Sequence, residues 1–191
     1  MTENKFWDHE NAARILTEGW NLFQQKGYRG VSIDELCQRC NLTKPTLYYY
    51  FHDKETLFVQ VLQYRLKNFH AVIEEPGPLP ERLQRVAEVI LASFQHEYGL
   101  LLRDREHIKD PANQQLIREA FFTELFEPII NLMRTGIAEG ILVDQDPELL
   151  GRLYMGVING FIGRVEETGL DIPSLAQLLT TFFLKGARRD E

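Results

Sequence analysis

The sequence is poor in everything that marks a β protein. Runs that alternate apolar and polar residues between turn signals are almost absent, which argues against a sheet and leaves helices to carry the fold. Cysteine is scarce too: Cys37 and Cys40 are the two in 191 residues. Two are not a disulfide framework. No run of about 18 apolar residues occurs, so no membrane-spanning helix is expected. The opening MTENKFWDHENAAR carries acids and lacks an apolar signal core, which makes cytoplasmic residence the expectation. Glycine-rich phosphate loops, Ser/Cys–His–acid patterns and metal-ligand spacings are missing as well. His9, His52, His70, His96 and His107 are scattered without ligand order. Glu97, Glu106 and His107 would make an acid/base or metal group only by accident of folding. An enzyme, a cofactor and a bound metal are therefore not expected.

What is present is an ordinary globular composition, 44% hydrophobic and 26% charged. A chain of this length buries about 70% of the surface its unfolded form exposes, enough for a core without staples. The net charge is −7, but it is unevenly spread: residues 1–70 hold nine Lys/Arg against eight Asp/Glu, and 71–191 hold twelve against twenty. A near-neutral front permits a small nucleic-acid surface. An acidic remainder keeps nonspecific attraction to DNA weak.

Apolar periodicity and stop signals predict helices over about 9–25, 33–40, 44–50 and 54–73. Further helices are expected over 80–97, 99–108, 111–139, 146–167 and 173–187. Ser32 and Glu35 read as a capping box, Thr43 and Asp53 as N-caps, and EEPGPLP at 74–80 as a break. Pro128 is placed to kink its helix. Two short helices joined by a three-residue turn, after a longer one, are the mark of a helix-turn-helix.

The second short helix lies in NLTKPTLYYYFHDK, 41–54. Leu47 and Phe51 are four apart and share a buried face. Lys44, Pro45, Tyr48 and Tyr49 then fall on other faces, and Tyr50 sits at the helix end. Lysine can donate to guanine O6 or N7, a proline or tyrosine ring can meet a thymine methyl, and tyrosine hydroxyls can bond phosphate. Ser32 and Thr43 cap their helices whatever else they do, and the tyrosines and lysines have half-buried or solvated readings beside this one. Cys37-x-x-Cys40 reads as two small residues packed between helices rather than a metal or redox pair.

Across residues 12–62 the sequence resembles the TetR family of bacterial transcriptional repressors. The resemblance rests on an ordered string: Phe23, Gly27-Tyr28, Val31-Ser32-Ile33, Leu42-Thr43-Lys44, Thr46-Leu47-Tyr48-Tyr49-Tyr50-Phe51 and Lys54-Glu55-Thr56-Leu57. Beyond 65 it extends to length and helix count. It implies an all-α fold: a three-helix DNA-binding domain at 1–53, then a helical effector-binding and dimerisation domain at 54–191, with the 54–73 helix as the link. By the family's pattern Lys44, Pro45 and Tyr49 would meet bases or the groove floor. Ser32, Thr43, Thr46, Tyr48, Tyr50 and Lys54 would hold phosphates. Pro45 stands where many members have glycine, and Tyr50 where many have histidine.

The long helices carry more apolar surface than one stripe explains. Their aromatic residues could fill a core or line a cavity. The resemblance implies a cavity for a small, hydrophobic or aromatic effector, with Phe94, Tyr98, Phe122, Phe126, Met133 and Tyr154 as candidate walls. The polar run Arg103–His107 could be a solvated turn or an anchor at the mouth. It also implies a homodimer through the last two helices, for which Leu153, Val157, Phe161, Leu175, Leu179, Phe182 and Phe183 are the candidates. The expected partners are thus a double-stranded operator, an effector and a second copy. The alternatives are a regulator that activates or takes no effector, and a helical interaction protein without DNA binding.

Overall fold

The computed structural model describes residues 7, 9–94 and 107–187. Its elements are α1 (Glu10–Gly30), α2 (Ile33–Cys40), α3 (Lys44–Tyr50), α4 (Lys54–Ile73), α5 (Leu79–Ser93) and α6 (Pro111–Phe121). A π-helical turn (Phe122–Phe126), α7 (Glu127–Ala138), α8 (Pro147–Asn159), a 3-10 turn (Val165–Thr168) and α9 (Ile172–Ala187) follow. Among the described residues no strand forms, and the fold is all-α. The chain packs as two compact units, residues 1–66 with 99–120, and residues 67–98 with 121–191.

In the first unit, α1 buries Ala12, Ile15, Leu16, Trp20, Leu22 and Phe23. Gly27 interrupts it at φ 68°, a conformation costly for any side chain, and turns the chain toward Val31. α2 starts at Ser32, whose Oγ accepts the Glu35 N–H at 3.1 Å. The capping box is half-made, because the Glu35 carboxylate pairs instead with Lys26 Nζ at 2.6 Å. α2 ends on Asn41 in the left-handed region (φ 51°), with Leu42 N–H on Cys37 O and Asn41 N–H on Gln38 O. That Schellman ending makes the tight turn into α3. Cys37 and Cys40 are free thiols buried beneath it, and burial pushes Cys40 up to about 11.

The second unit is built on α5, α7, α8 and α9. The 74–80 break is closed by two arginines. Arg82 donates to Ile73 O, the last carbonyl of α4, and Arg85 to Glu75 O and Pro76 O within the break. Three expectations need correction. The helix expected to run to 97 ends at Ser93. The 111–139 segment is helical without a break to Ala138, but its irregularity takes the form of a π turn. Pro128 has no N–H for the carbonyl four residues back, and the chain answers with a π turn over Phe122–Phe126 before α7 resumes. The helix expected to reach Glu167 stops at Asn159, where Gly160 and Gly163 make continuation unfavourable. The helix expected at 99–108 lies almost wholly outside the described residues.

Candidate nucleic-acid interface

α3 is short, and its orientation is fixed from below. Leu47 and Phe51 are fully buried, and Phe51 N–H donates to Leu47 O at 2.9 Å. At the start, Thr43 Oγ1 accepts the Thr46 N–H at 3.4 Å and lies 2.9 Å from the Thr46 hydroxyl. Pro45 occupies the first turn, where a missing N–H costs nothing. With that face anchored, the other side chains have one way to go. Tyr49 is 83% exposed and Tyr48 42%. Lys44 and Pro45 are exposed beside them. This is a helix face of one cation, one pyrrolidine and two phenols, open to solvent. It offers donors to acceptor-rich base edges and flat apolar surface to methyl groups.

The expected phosphate-holding residues surround it. Ser32 and Thr43 are exposed at two helix starts, each engaged in its cap, and Thr46 is half-buried. Tyr50 is half-buried, its hydroxyl 3.0 Å from His9 Nδ1 at the head of α1. Lys54 opens α4 with its Nζ 4.7 Å above the Tyr28 ring, a cation–π seat. Three residues of this neighbourhood went unforeseen: Asp34, which pairs with Lys44 at 2.8 Å, His9 and Tyr28. Each reaches its partner across a helix–helix angle, which sequence spacing does not contain. The Gly27-Tyr28 turn was visible as a motif, but not the cation above its ring.

The expected effector walls separate into two groups. Phe94, Met133 and Tyr154 are closed inside the second unit. Tyr154 donates its hydroxyl to Leu83 O and lies 3.1 Å from Thr180 Oγ1; burial drives its pKa well up. Phe122 and Phe126 border a cavity of about 100 Å³, with Ile129, Ile130 and Gly151 below and Arg152 with Glu148 at the rim. Pockets for drug-sized ligands run to about 300–1,000 Å³. Tyr98 and residues 103–106 lie outside the described residues; His107 is exposed.

The candidate interface residues separate in the same way. On α9, Leu175, Leu179 and Phe183 repeat every four residues and are buried against this chain's own helices. That burial leaves them no face to offer a second copy. The outward stripe is Leu178 and Phe182, the latter 72% exposed. On α8, which packs on α9, Leu149 and Leu153 are exposed, and Val157 is half-buried, as is Phe161 just beyond it. Leu149 and Leu178 belong to this outward set as well.

Comparison with known proteins places this geometry. The family model described as "Bacterial regulatory proteins, tetR family" matches residues 15–61, from within α1, through α2 and α3, and into α4. Over these residues, which hold the helix-turn-helix, the chain matches the TetR family. It is a transcriptional regulator with a helix-turn-helix DNA-binding domain. An uncharacterized helix-turn-helix regulator of Bacillus subtilis, YhgD, is 27% identical over 183 residues, covering 90% of this chain and 94% of its own. The crystal structure of the TetR-family regulator PfmR from Thermus thermophilus superposes with a TM-score of 0.72 at 26% identity, covering 92% of this chain and 100% of its own. The regulator FadR from Bacillus subtilis, solved with stearoyl-CoA, shares the fold at 16% identity and a TM-score of 0.69, covering 92% of this chain and 99% of its own. No helix among the described residues is long and apolar enough to cross a membrane.

Proposed function

We propose that the protein is a ligand-responsive repressor that binds a pseudo-palindromic operator as a dimer. The exposed face of α3 carries this reading: Leu47 and Phe51 are committed to the core, while Lys44, Pro45, Tyr48 and Tyr49 stand at the surface, where core packing does not explain them. Lys44, Pro45 and Tyr49 read the groove. Ser32, Thr43, Thr46, Tyr48, Tyr50 and Lys54 grip the backbone and set the register. In functional terms residues 1–53 bind DNA and 54–191 take the effector and the second copy, with α4 as the link. A two-fold axis puts two α3 helices on half-sites about one helical turn apart or more.

The effector is small and hydrophobic or aromatic. The apolar floor of the Phe122–Phe126 cavity supports that class, as does the stearoyl-CoA held by the FadR neighbour. Phe94, Met133 and Tyr154 become walls only if the helices around them part, so binding and a change of helix spacing are one event. An effector that favours the spacing incompatible with the operator releases DNA. The direct test is selection from a randomised duplex library with the full-length protein. An inverted repeat is expected, and long-chain acyl or aromatic ligands should weaken binding to it. Recovery of no common sequence would refute the operator-binding role.

A further inference from the structure

Lys44 is the one cation on the exposed face of α3, and it is held by a carboxylate. Its Nζ lies 2.8 Å from Asp34 Oδ1, with side-chain exposures of 50% for Lys44 and 68% for Asp34. The hydrogen bond to Asp34, reinforced by its charge, raises the Lys44 pKa. The pair joins the first turn of α2 to the first residue of α3 and borders an open hollow lined by Cys37, Gln38, Asn41 and Thr43. The adjacent acid, Glu35, is taken by Lys26, so Asp34 and Glu35 have separate cations. A carboxylate on a surface that approaches a polyanion is repelled by it; in the first turn of α2 Asp34 also suits the positive end of the helix, a role that does not call for Lys44.

We propose that Asp34 is a specificity-determining positioning residue: it orients Lys44 as a hydrogen-bond donor toward bases and withholds its charge from phosphates. The proposal rests on the base-reading role of Lys44 given above. An ammonium has three donors and no acceptor. One goes to Asp34, and the two that remain suit a paired acceptor edge such as guanine O6 and N7. A lysine without such a partner is a flexible point charge that any phosphate can capture. The Asp34 carboxylate cancels much of that attraction on every sequence. Only a site whose base edge takes the remaining donors compensates for the repulsion. Asp34 therefore penalises random duplex more than operator.

The test uses full-length wild type, Asp34→Asn, Asp34→Glu, Lys44→Ala and the Asp34→Asn/Lys44→Ala double variant. Binding to the selected operator and to a random duplex is followed by fluorescence anisotropy across a salt series. Asp34→Asn, nearly isosteric and at an exposed position, should bind random duplex about three- to tenfold tighter at low salt. Its salt slope should steepen by about 0.9 for each further phosphate that the variant neutralises. Operator affinity should change less, so the specificity ratio falls, and Asp34→Glu should stay near wild type. With Lys44 already alanine, most of the Asp34→Asn effect should vanish. Equal tightening on both duplexes, or an effect undiminished without Lys44, would overturn the proposal. Equal loss on both duplexes from Lys44→Ala alone refutes base reading by Lys44 itself. A selective Lys44→Ala loss beside an inert Asp34→Asn refutes only the role of Asp34.

Discussion

Glu55, next to Lys54 at the start of α4, accepts hydrogen bonds from Lys109 N–H at 3.2 Å, Asp110 N–H at 2.9 Å and Asn113 Nδ2 at 3.1 Å. Burial alone would push its pKa up, but the three bonds outweigh it and hold the carboxyl below its ordinary value. A lowered folded-state pKa contributes stability above the unfolded value of about 4.3, and that contribution is lost as pH falls through the folded value. Glu55→Gln should therefore lower Tm at pH 6–7, and the gap to wild type should close below pH about 4. A gap that is the same at pH 6 and pH 3 would contradict this. The anchoring of α3 was legible at the same scale. Leu47 and Phe51 are one helical turn apart, and so the tyrosines between them had to face elsewhere. Asp34, His9 and Tyr28 were not legible. Their partners lie 10, 41 and 26 residues away, and what brings them together is the packing of whole helices.

Helix starts were written in the sequence as local chemistry. Asp53, Asp110, Asp146 and Asp171 each accept a backbone N–H two or three residues ahead, and a helix follows each. Helix interiors were harder to read. Pro128 announced an irregularity without saying that it would be a π turn upstream, because the compensation depends on where the displaced carbonyls find donors. Among the described residues of the chain, a side chain built at Gly156 would meet nothing within 4 Å, so Gly156 marks no close approach within the chain. The close approach is elsewhere, on α7. A Cβ at Gly136 would sit 2.5 Å from Leu79 Cδ2 and 2.7 Å from Leu142 Cδ1, both buried leucines. Gly136→Ala improves helix propensity but overpacks α7 against the start of α5. It should destabilise the protein by about 1–3 kcal/mol in urea unfolding. An unchanged or raised midpoint would show that the leucines yield freely.

For the whole molecule, the proposed dimer rests on the outward apolar residues of α8 and α9. Single exposed leucines are common, but Leu149, Leu153, Leu178 and Phe182 on two packed helices are a surface that water does not favour. Phe182→Glu should shift the protein from dimer to monomer in sedimentation at micromolar concentration while leaving its helical circular dichroism intact. A dimer of unaltered strength would move the interface elsewhere. The outer and inner stripes of α9 could not be told apart in the sequence, since Leu175, Leu178, Leu179, Phe182 and Phe183 are all large and apolar. Whether the exposed face of α3 reads base sequence is decided by the affinities of wild type and Tyr49→Ala for the selected operator and for random duplex at one salt concentration. Tyr49 is exposed enough that its loss leaves the fold alone. The expected result is a loss of about 1–3 kcal/mol on operator with little change on random duplex. Equal losses on both would contradict it.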